Sequence, residues 1–175
     1  MFYQEILFNK EECNQIINLI KNLPKIDGKS KYGGNDKTNV SFDEYKISDT
    51  NENYWFMNKI KLFIEKKLKI KLNFINNDAH ILSYGINDGF SKHIDYNSNG
   101  DEPRIYTVGL LLNNEYSGGN LLVYDTEKMI LNKQIGNCYI FDTTTPHEVE
   151  KITKGRRYTI ILHIKNSEIQ KNNLL

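Results

Sequence analysis

A histidine and an aspartate two residues apart, His93 and Asp95 in the segment SKHIDYN, have the types and spacing of metal ligands. On a β-strand, residues i and i+2 point to the same face, so an imidazole nitrogen and a carboxylate oxygen can converge on one ion here. A third ligand must then come from another strand. The pair also has a purely structural interpretation, in which His93 lies in a surface turn and hydrogen-bonds to Asp95.

His147, in the segment TTTPHEVE, is the candidate third ligand, because it follows a Thr/Pro turn at the expected start of a strand. Two histidines and one carboxylate on one side of a metal leave its other positions open, which is typical of non-haem Fe(II) sites that admit O2. Arg157 follows ten residues later, and its guanidinium can bind a carboxylate through two parallel hydrogen bonds. Strand alternation puts Arg157 and His163 on one face and Arg156 on the other, so Arg157 is the candidate only if its face is interior.

Short β-strands must position these side chains, because the apolar pattern becomes strand-like after about residue 72. The expected strands are 79–84, 89–94, 104–112, 119–125, 128–131, 138–142, 147–150 and 156–164. Eight short strands in the last part of the chain match the strand count of a jelly roll. The expected fold class is therefore mainly β (α+β), a double-stranded β-helix with supporting helices at the N-terminal end.

Those helices are expected where apolar residues recur at helical spacing, from Asn9 to Leu23 and from about Asn51 to Leu68, with Asn9 as the N-cap of the first. The polar, Gly-containing residues 27–46 between them predict a long loop or an irregular hairpin. No repeat or linker divides the chain, so we expect one domain over residues 1–175. It would comprise helical support over 1–72, a jelly-roll core over 73–165 and a short tail over 166–175.

The composition excludes several other classes of protein. The 175 residues carry 23 basic and 22 acidic side chains, and this net charge of +1 gives no reason to expect a nucleic acid or a membrane as partner. Two cysteines, Cys13 and Cys138, are too few for a disulfide framework. No segment has the length of a membrane span or the pattern of a secretory signal, so we expect a cytoplasmic protein.

A longer string of residues has the order and spacing of a known family. It runs Tyr84-x4-Gly89-Phe90-x2-His93-x-Asp95, Arg104-x2-Thr107, Leu112-Asn113, Gly118-Gly119-x-Leu121, Gly136, Phe141-Asp142, His147-Glu148-Val149 and Gly155-x-Arg157-Tyr158. This string, over residues 78–165, resembles the prolyl 4-hydroxylase-like branch of the 2-oxoglutarate- and Fe(II)-dependent dioxygenases. The helices before the strands also fit that family.

The resemblance implies a reaction and a set of site residues. The reaction is hydroxylation coupled to the oxidation of 2-oxoglutarate by O2, which releases succinate and CO2, with ascorbate as reductant. By their place in the motif, His93, Asp95 and His147 match the iron ligands and Arg157 matches the residue that pairs with the C5 carboxylate of 2-oxoglutarate. Tyr84 and Thr107 match positions that line the co-substrate pocket, although both are also ordinary strand residues. No catalytic residue separate from the metal site is implied.

Two positions depart from the family pattern. The family often has Tyr just before the Leu-Asn pair, where its hydroxyl reaches the co-substrate, and here the residue is Leu111. The family commonly has Trp six residues after the basic residue, and here it is His163. We expect His163 to face inward near the 2-oxoglutarate pocket and to replace part of the hydrogen bonding lost at Leu111, unless it is a buried histidine of the core. His80 is expected to be structural.

The substrate is expected to be a prolyl or other residue of a peptide or protein, over which the segments Lys29–Asn39 and Asn97–Glu102 would close. A free amino acid or other small molecule and an alkylated nucleic-acid base remain alternatives. The repair branch would carry a further Arg where His163 stands, which weakens the last of these. A different class of protein, a jelly-roll binding module without catalysis, also remains open, as does the oligomeric state.

Overall fold

The computed structural model describes residues 1–20, 22–23, 25–27, 40–47, 54–73, 79–96 and 102–170. The regular elements of this part are two α-helices, fourteen β-strands and a single turn of 3₁₀ helix. In chain order they are β1 (Phe2–Ile6), α1 (Lys10–Ile20), β2 (Lys25–Asp27), β3 (Val40–Ser41), β4 (Asp43–Lys46), α2 (Trp55–Leu68), β5 (Ala79–Tyr84), β6 (Gly89–His93), β7 (Arg104–Leu111), β8 (Ser117–Gly118), β9 (Leu121–Tyr124), β10 (Lys128–Ile130), β11 (Asn137–Asp142), β12 (His147–Val149), β13 (Ile152–Lys154), β14 (Arg157–Lys165) and the 3₁₀ helix (Asn166–Glu168).

Both predicted helices are present, and the first begins where its cap predicts. The Glu12 N–H donates to Asn9 Oδ1, and the Asn9 N–H donates to Glu12 Oε2, each over 2.9 Å. This reciprocal capping box satisfies donors that the first turn of α1 would otherwise leave unpaired. The second helix, α2, begins at Trp55 and ends where Lys69 adopts a left-handed conformation. The residues before Tyr54, where we expected its start, lie outside the described part of the chain.

The strands form two antiparallel sheets that face each other, which confirms the predicted jelly roll. The large sheet has the order β1-β11-β7-β14-β5-β4-β2, and the small sheet has the order β10-β9-β12-β6-β3. A two-stranded pair, β13 and β8, lies beside them. Strand β14 occupies the middle of the large sheet, paired with β7 on one side and β5 on the other.

Side-chain alternation along β14 separates the structural core from the functional interior. On one face, Ile160, Leu162 and Ile164 are buried in a cluster with the apolar sides of α1 and α2. On the other face, Arg157 and His163 line a cavity between the two sheets. The helices therefore hold the outer face of the sheet, and the space between the sheets is left for the site.

Two short strands were not expected from the sequence. Residues 2–6 form the edge strand β1 on β11, although two of their five side chains, Gln4 and Glu5, are polar. β13, at Ile152–Lys154, pairs only with the two-residue strand β8. Such strands bury one face or neither, so they lack the alternation that marks a buried strand.

The segment 27–46, expected to be a long loop or an irregular hairpin, contains the second of these in its described part. β2 and β4 pair antiparallel, and β4 joins them to the large sheet beside β5. Residues 28–39 lie outside the described part.

Within the described residues, no helix combines the length and the apolar content that a membrane crossing requires.

Candidate active site

His93, Asp95 and His147 lie together at one end of the space between the sheets. One ligand atom from each lies within 4.8 Å of those of the other two. His93 Nε2 is 3.4 Å from Asp95 Oδ1, and His147 Nε2 is 3.3 Å from Asp95 Oδ2. Strand pairing explains the convergence, because His93 at the end of β6 is directly opposite His147 at the start of β12.

Main-chain carbonyl groups orient the two histidine rings and hold the backbone of Asp95. The Nδ1 atoms of His93 and His147 donate to the carbonyl oxygens of Ser91 and Thr145, over 2.7 and 3.0 Å. A carbonyl oxygen only accepts, so Nδ1 carries the proton and Nε2 faces Asp95 as the ligand atom. Asp95 lies beyond the end of β6, and its N–H donates to the Thr143 carbonyl over 2.9 Å, which fixes its position.

Asp95 is held ionised by its surroundings. Burial raises the pKa of its carboxyl group, but contacts with His147, His163 and His93 outweigh burial and hold that pKa well below its usual range. Burial lowers the pKa of His147, but the hydrogen bond that its protonated imidazole donates to the Asp95 carboxylate outweighs burial, so this pKa is raised. Two imidazole nitrogens beside an ionised carboxylate are a donor set that fits Fe(II).

Arg157 forms the other end of the site. Its side chain is 1% exposed, and its Nε and Nη1 atoms have no hydrogen-bond partner among the described residues. Its guanidinium carbon lies 5.2 Å from the centre of the Tyr84 ring, which supports the cation from one side. Unpaired buried donors cost free energy, so this guanidinium is suited to a carboxylate ligand that enters from the cavity.

A cavity of about 280 Å³ joins the two ends. Its walls include the apolar side chains of Phe42, Phe90, Leu121, Phe141 and Val149. Apolar walls lower the effective dielectric constant of the space between the histidines and the guanidinium, which strengthens electrostatic contacts there.

The four residues expected to bind the co-substrate, Arg157, Tyr84, Thr107 and His163, all line this cavity. Thr107 also has a different contact, because its Oγ1 donates to Asp95 Oδ2 over 2.7 Å. The Nε2 atom of His163 lies 3.4 Å from the same oxygen. His163 therefore faces the cavity but contacts Asp95, six positions along β14 from Arg157.

Arg156 and Leu111 lie away from the cavity lining. Arg156 points outward and donates to Asp43 Oδ2 over 3.2 Å and to Ser83 Oγ over 2.7 Å. Leu111 is buried in an apolar cluster that also contains Tyr139.

Two cavity features were missed by the sequence analysis. His80, expected to be structural, lines the cavity, and its Nδ1 lies 2.5 Å from Oε1 of the buried Glu44. Tyr139, which no sequence motif marks, also lines the cavity. Glu44 lies in the segment expected to be a long loop or an irregular hairpin, and the direction of Tyr139 depends on a strand partner distant in sequence, so neither gave a local signal.

Known proteins resemble this chain over the part that forms the cavity. Residues 79–165 match the family model of the 2OG-Fe(II) oxygenase superfamily. A PKHD-type hydroxylase of Prochlorococcus marinus (strain MIT 9211) is 26% identical over 167 residues, which cover 89% of this chain and 73% of that protein.

Solved structures agree in fold. A Pseudomonas putida prolyl-4-hydroxylase matches with a TM-score of 0.69 and 17% identity, over 94% of this chain and 91% of that chain. A Trichoplax adhaerens prolyl hydroxylase, solved in complex with a hypoxia-inducible-factor oxygen-degradation-domain peptide, matches with a TM-score of 0.70 and 17% identity. That match covers 95% of this chain and 84% of the other.

Proposed function

Because this chain belongs to the 2-oxoglutarate- and Fe(II)-dependent oxygenase superfamily, we propose that it hydroxylates a prolyl residue of a peptide or protein substrate. It is a prolyl hydroxylase-like dioxygenase, with Fe(II) as its metal and 2-oxoglutarate as its co-substrate. The observation that carries the proposal is that one cavity contains both the His/Asp/His cluster and the unpaired guanidinium donors.

Each end of the cavity has its own task in this proposal. His93, Asp95 and His147 hold the metal, and Arg157 binds the distal carboxylate of 2-oxoglutarate through its unpaired N–H groups. When bound, Fe(II) and 2-oxoglutarate supply the O2-dependent oxidation. The protein orients these groups, and Thr107 holds Asp95 in place through its hydrogen bond.

The mouth of the cavity supports a peptide as the substrate. Ile94 and Tyr96, which flank Asp95 in sequence, line the cavity and are 48% and 45% exposed. An apolar prolyl ring and its neighbouring residues would cover these side chains. The similarity in fold to a prolyl hydroxylase that was solved with a peptide agrees with this choice. Of the segments expected to close over the substrate, Lys29–Asn39 lies outside the described residues, as does Asn97–Glu102 except for Glu102 itself.

A hydroxylation screen tests the proposal. Purified protein with Fe(II), ascorbate and 2-oxoglutarate is incubated with a library of proline-containing peptides, and succinate release and the gain of one oxygen atom by mass spectrometry are measured. We expect both signals from a subset of peptides and neither from the Asp95→Ala protein. Oxidation of free proline or of an alkylated oligonucleotide instead of a peptide would overturn the choice of substrate, and absence of succinate with every substrate would favour a binding module without catalysis.

Metal binding should become stronger as pH rises from about 6 to 8. The pKa of His147 is raised above its ordinary value of 6.5, so below about pH 6.5 the protonated imidazole stabilises the metal-free fold. This stabilisation is lost as the pH rises through the raised pKa of His147. The metal needs the neutral imidazole, so its affinity should rise by up to about tenfold per pH unit for one released proton. The depressed pKa of Asp95 leaves its carboxylate ionised throughout this range. The measurement is the increase in Tm caused by Mn(II) at pH 6, 7 and 8, and an increase that is the same at all three would contradict the expectation.

A further inference from the structure

A buried histidine–glutamate pair lies beside the cavity and has no part in the proposed binding of metal or co-substrate. His80 lies on β5 and is 9% exposed, and Glu44 lies on the neighbouring strand β4 and is 1% exposed. The Nδ1 atom of His80 lies 2.5 Å from Oε1 of Glu44. Well-packed apolar side chains are often at least as stabilising as a buried ion pair, so stability alone does not explain this pair.

Strand register places His80 at the metal end of the cavity. Tyr84 is opposite Arg157, and His80 lies four residues away on the same face of β5, roughly 13 Å along the strand. This direction leads towards His163, whose Nε2 lies 3.4 Å from Asp95 Oδ2. In the proposed function, the co-substrate carboxylate binds at the arginine end. His80 therefore lies at the end where a substrate must approach the metal.

The position of Glu44 determines which nitrogen of His80 faces the cavity. Glu44 is diagonal to His80 across the β4–β5 pair and does not line the cavity, whereas His80 does. The imidazole ring thus lies between the carboxylate and the cavity, with Nδ1 towards Glu44 and Nε2 on the far side of the ring. A buried carboxylate at this distance favours the imidazolium form of a histidine, in which both ring nitrogens are donors.

The pair offers a hydrogen-bond donor without a net charge. An imidazolium and a carboxylate are neutral together, so an anionic ligand gains little long-range attraction from them. A neutral oxygen acceptor still gains a charge-assisted hydrogen bond from the imidazolium. A main-chain carbonyl oxygen is such an acceptor, and every residue of a peptide carries one. A free amino acid has an ionised carboxylate in its place.

We propose that His80 is a substrate-binding residue whose Nε2–H donates to a main-chain carbonyl oxygen next to the hydroxylated residue, and that Glu44 positions its ring. The proposal rests on the proposed function, because it requires a peptide substrate at the metal. It gives the cavity a way to select a residue within a chain over the free amino acid.

Peptides with a modified backbone test the proposal. The protein is loaded with Mn(II) and 2-oxoglutarate without O2, and the Kd is measured calorimetrically for a proline-containing peptide that the hydroxylation screen identifies. It is also measured for two thioamide analogues, in which sulfur replaces the carbonyl oxygen before or after the target residue. Sulfur is a weaker acceptor than oxygen, so we expect one of the analogues to bind the wild type about fivefold more weakly than the parent peptide.

A double variant shows whether His80 is the donor. Combining His80→Leu with Glu44→Gln removes the imidazole and the buried charge together, so no unpaired carboxylate is left. We expect this protein to bind the parent peptide about tenfold more weakly and to bind the parent and both analogues within about twofold of one another. Its Kd for 2-oxoglutarate should stay within about twofold of the wild type. Ser83→Ala, on β5 but outside the cavity lining, should change none of these constants.

The possible results separate this inference from the function on which it rests. If neither analogue binds the wild type more weakly, or if the double variant keeps the difference between parent and analogue, His80 does not bind a carbonyl oxygen. The inference is then wrong, while peptide hydroxylation stands. If the wild-type protein hydroxylates free proline and no peptide, both are wrong. A purely structural role of the pair would weaken the parent and the analogues by the same factor, which also contradicts the inference.

Discussion

The Asp95→Ala protein should bind Mn(II) at least about a hundredfold more weakly than the wild type and should release no succinate above background. Asp95 supplies the negative charge among the three proposed ligands, and changes even to partners behind the ligands cost roughly 10–100-fold in metal affinity. The Asp95 carboxylate lies 3.4 Å from Nε2 of His93 and 3.3 Å from Nε2 of His147. Its removal leaves the two imidazoles without the group that lies between them. The measurements are Mn(II) affinity by calorimetry and succinate yield in the presence of Fe(II).

Two further variants test whether the loss of metal binding is specific to the Asp95 carboxylate. Asp125→Ala removes an exposed aspartate outside the cavity lining and should leave metal affinity unchanged. Thr107→Val keeps the carboxylate but removes the 2.7 Å hydrogen bond to it, and should weaken metal binding about tenfold. Wild-type affinity in the Asp95→Ala protein would show that the metal, if bound, lies elsewhere.

Arg157→Gln should raise both the Kd and the KM for 2-oxoglutarate by about a hundredfold, because truncation of one partner of a buried, hydrogen-bonded charge pair costs about 2–5 kcal/mol. Mn(II) affinity should stay near that of the wild type, since the guanidinium is not part of the His93, Asp95 and His147 group proposed to hold the metal. Arg157→Lys should lose less, because the charge remains while the two parallel donors do not.

Arg156→Gln is the matched control for this change. Arg156 is the preceding residue in sequence but points outward to Asp43 and Ser83, so its loss should leave the Kd for 2-oxoglutarate within about twofold. Equal effects of the two substitutions would show that Arg157 supports the strand and does not bind the co-substrate.

Much of the fold could be predicted because its signals are local. The capping box of Asn9 and Glu12 lies within four residues, and the alternation along β14 is complete within one strand. The signals failed in β4, the strand next to the edge of the large sheet. Residues 43–46 are mostly polar, yet β4 pairs with β5 and buries Glu44 beside His80. A carboxylate at such a place is stabilised by a partner distant in sequence, so its burial is not visible in local hydropathy.

In the candidate site, too, some residues could be predicted from local sequence and others could not. The types and spacing of His93, Asp95 and His147 are readable from the sequence, and the structure places them within reach of one ion. The hydrogen bond from Thr107 to Asp95 could not be predicted, because it joins residues far apart in sequence. The same is true of the Tyr139 ring, which lies over Gly109 of the neighbouring strand, where the Cβ atom of any other residue would clash with it. The register between strands decides these contacts, and no property of either residue alone determines it.

The carbonyl oxygens that position His93, Asp95 and His147 affect how this site can evolve. His93 and His147 are positioned by the backbone of residues 91 and 145, and Asp95 by the backbone of residue 143. Every amino acid provides a carbonyl oxygen, so mutations at these positions do not remove the acceptor as long as the backbone path is kept. Selection can therefore alter the residues around the cluster, and with them the shape of the cavity mouth, while the ligand geometry persists. A site built in this way is open to new substrates through single substitutions, and randomised libraries at its mouth should contain a high fraction of metal-binding variants.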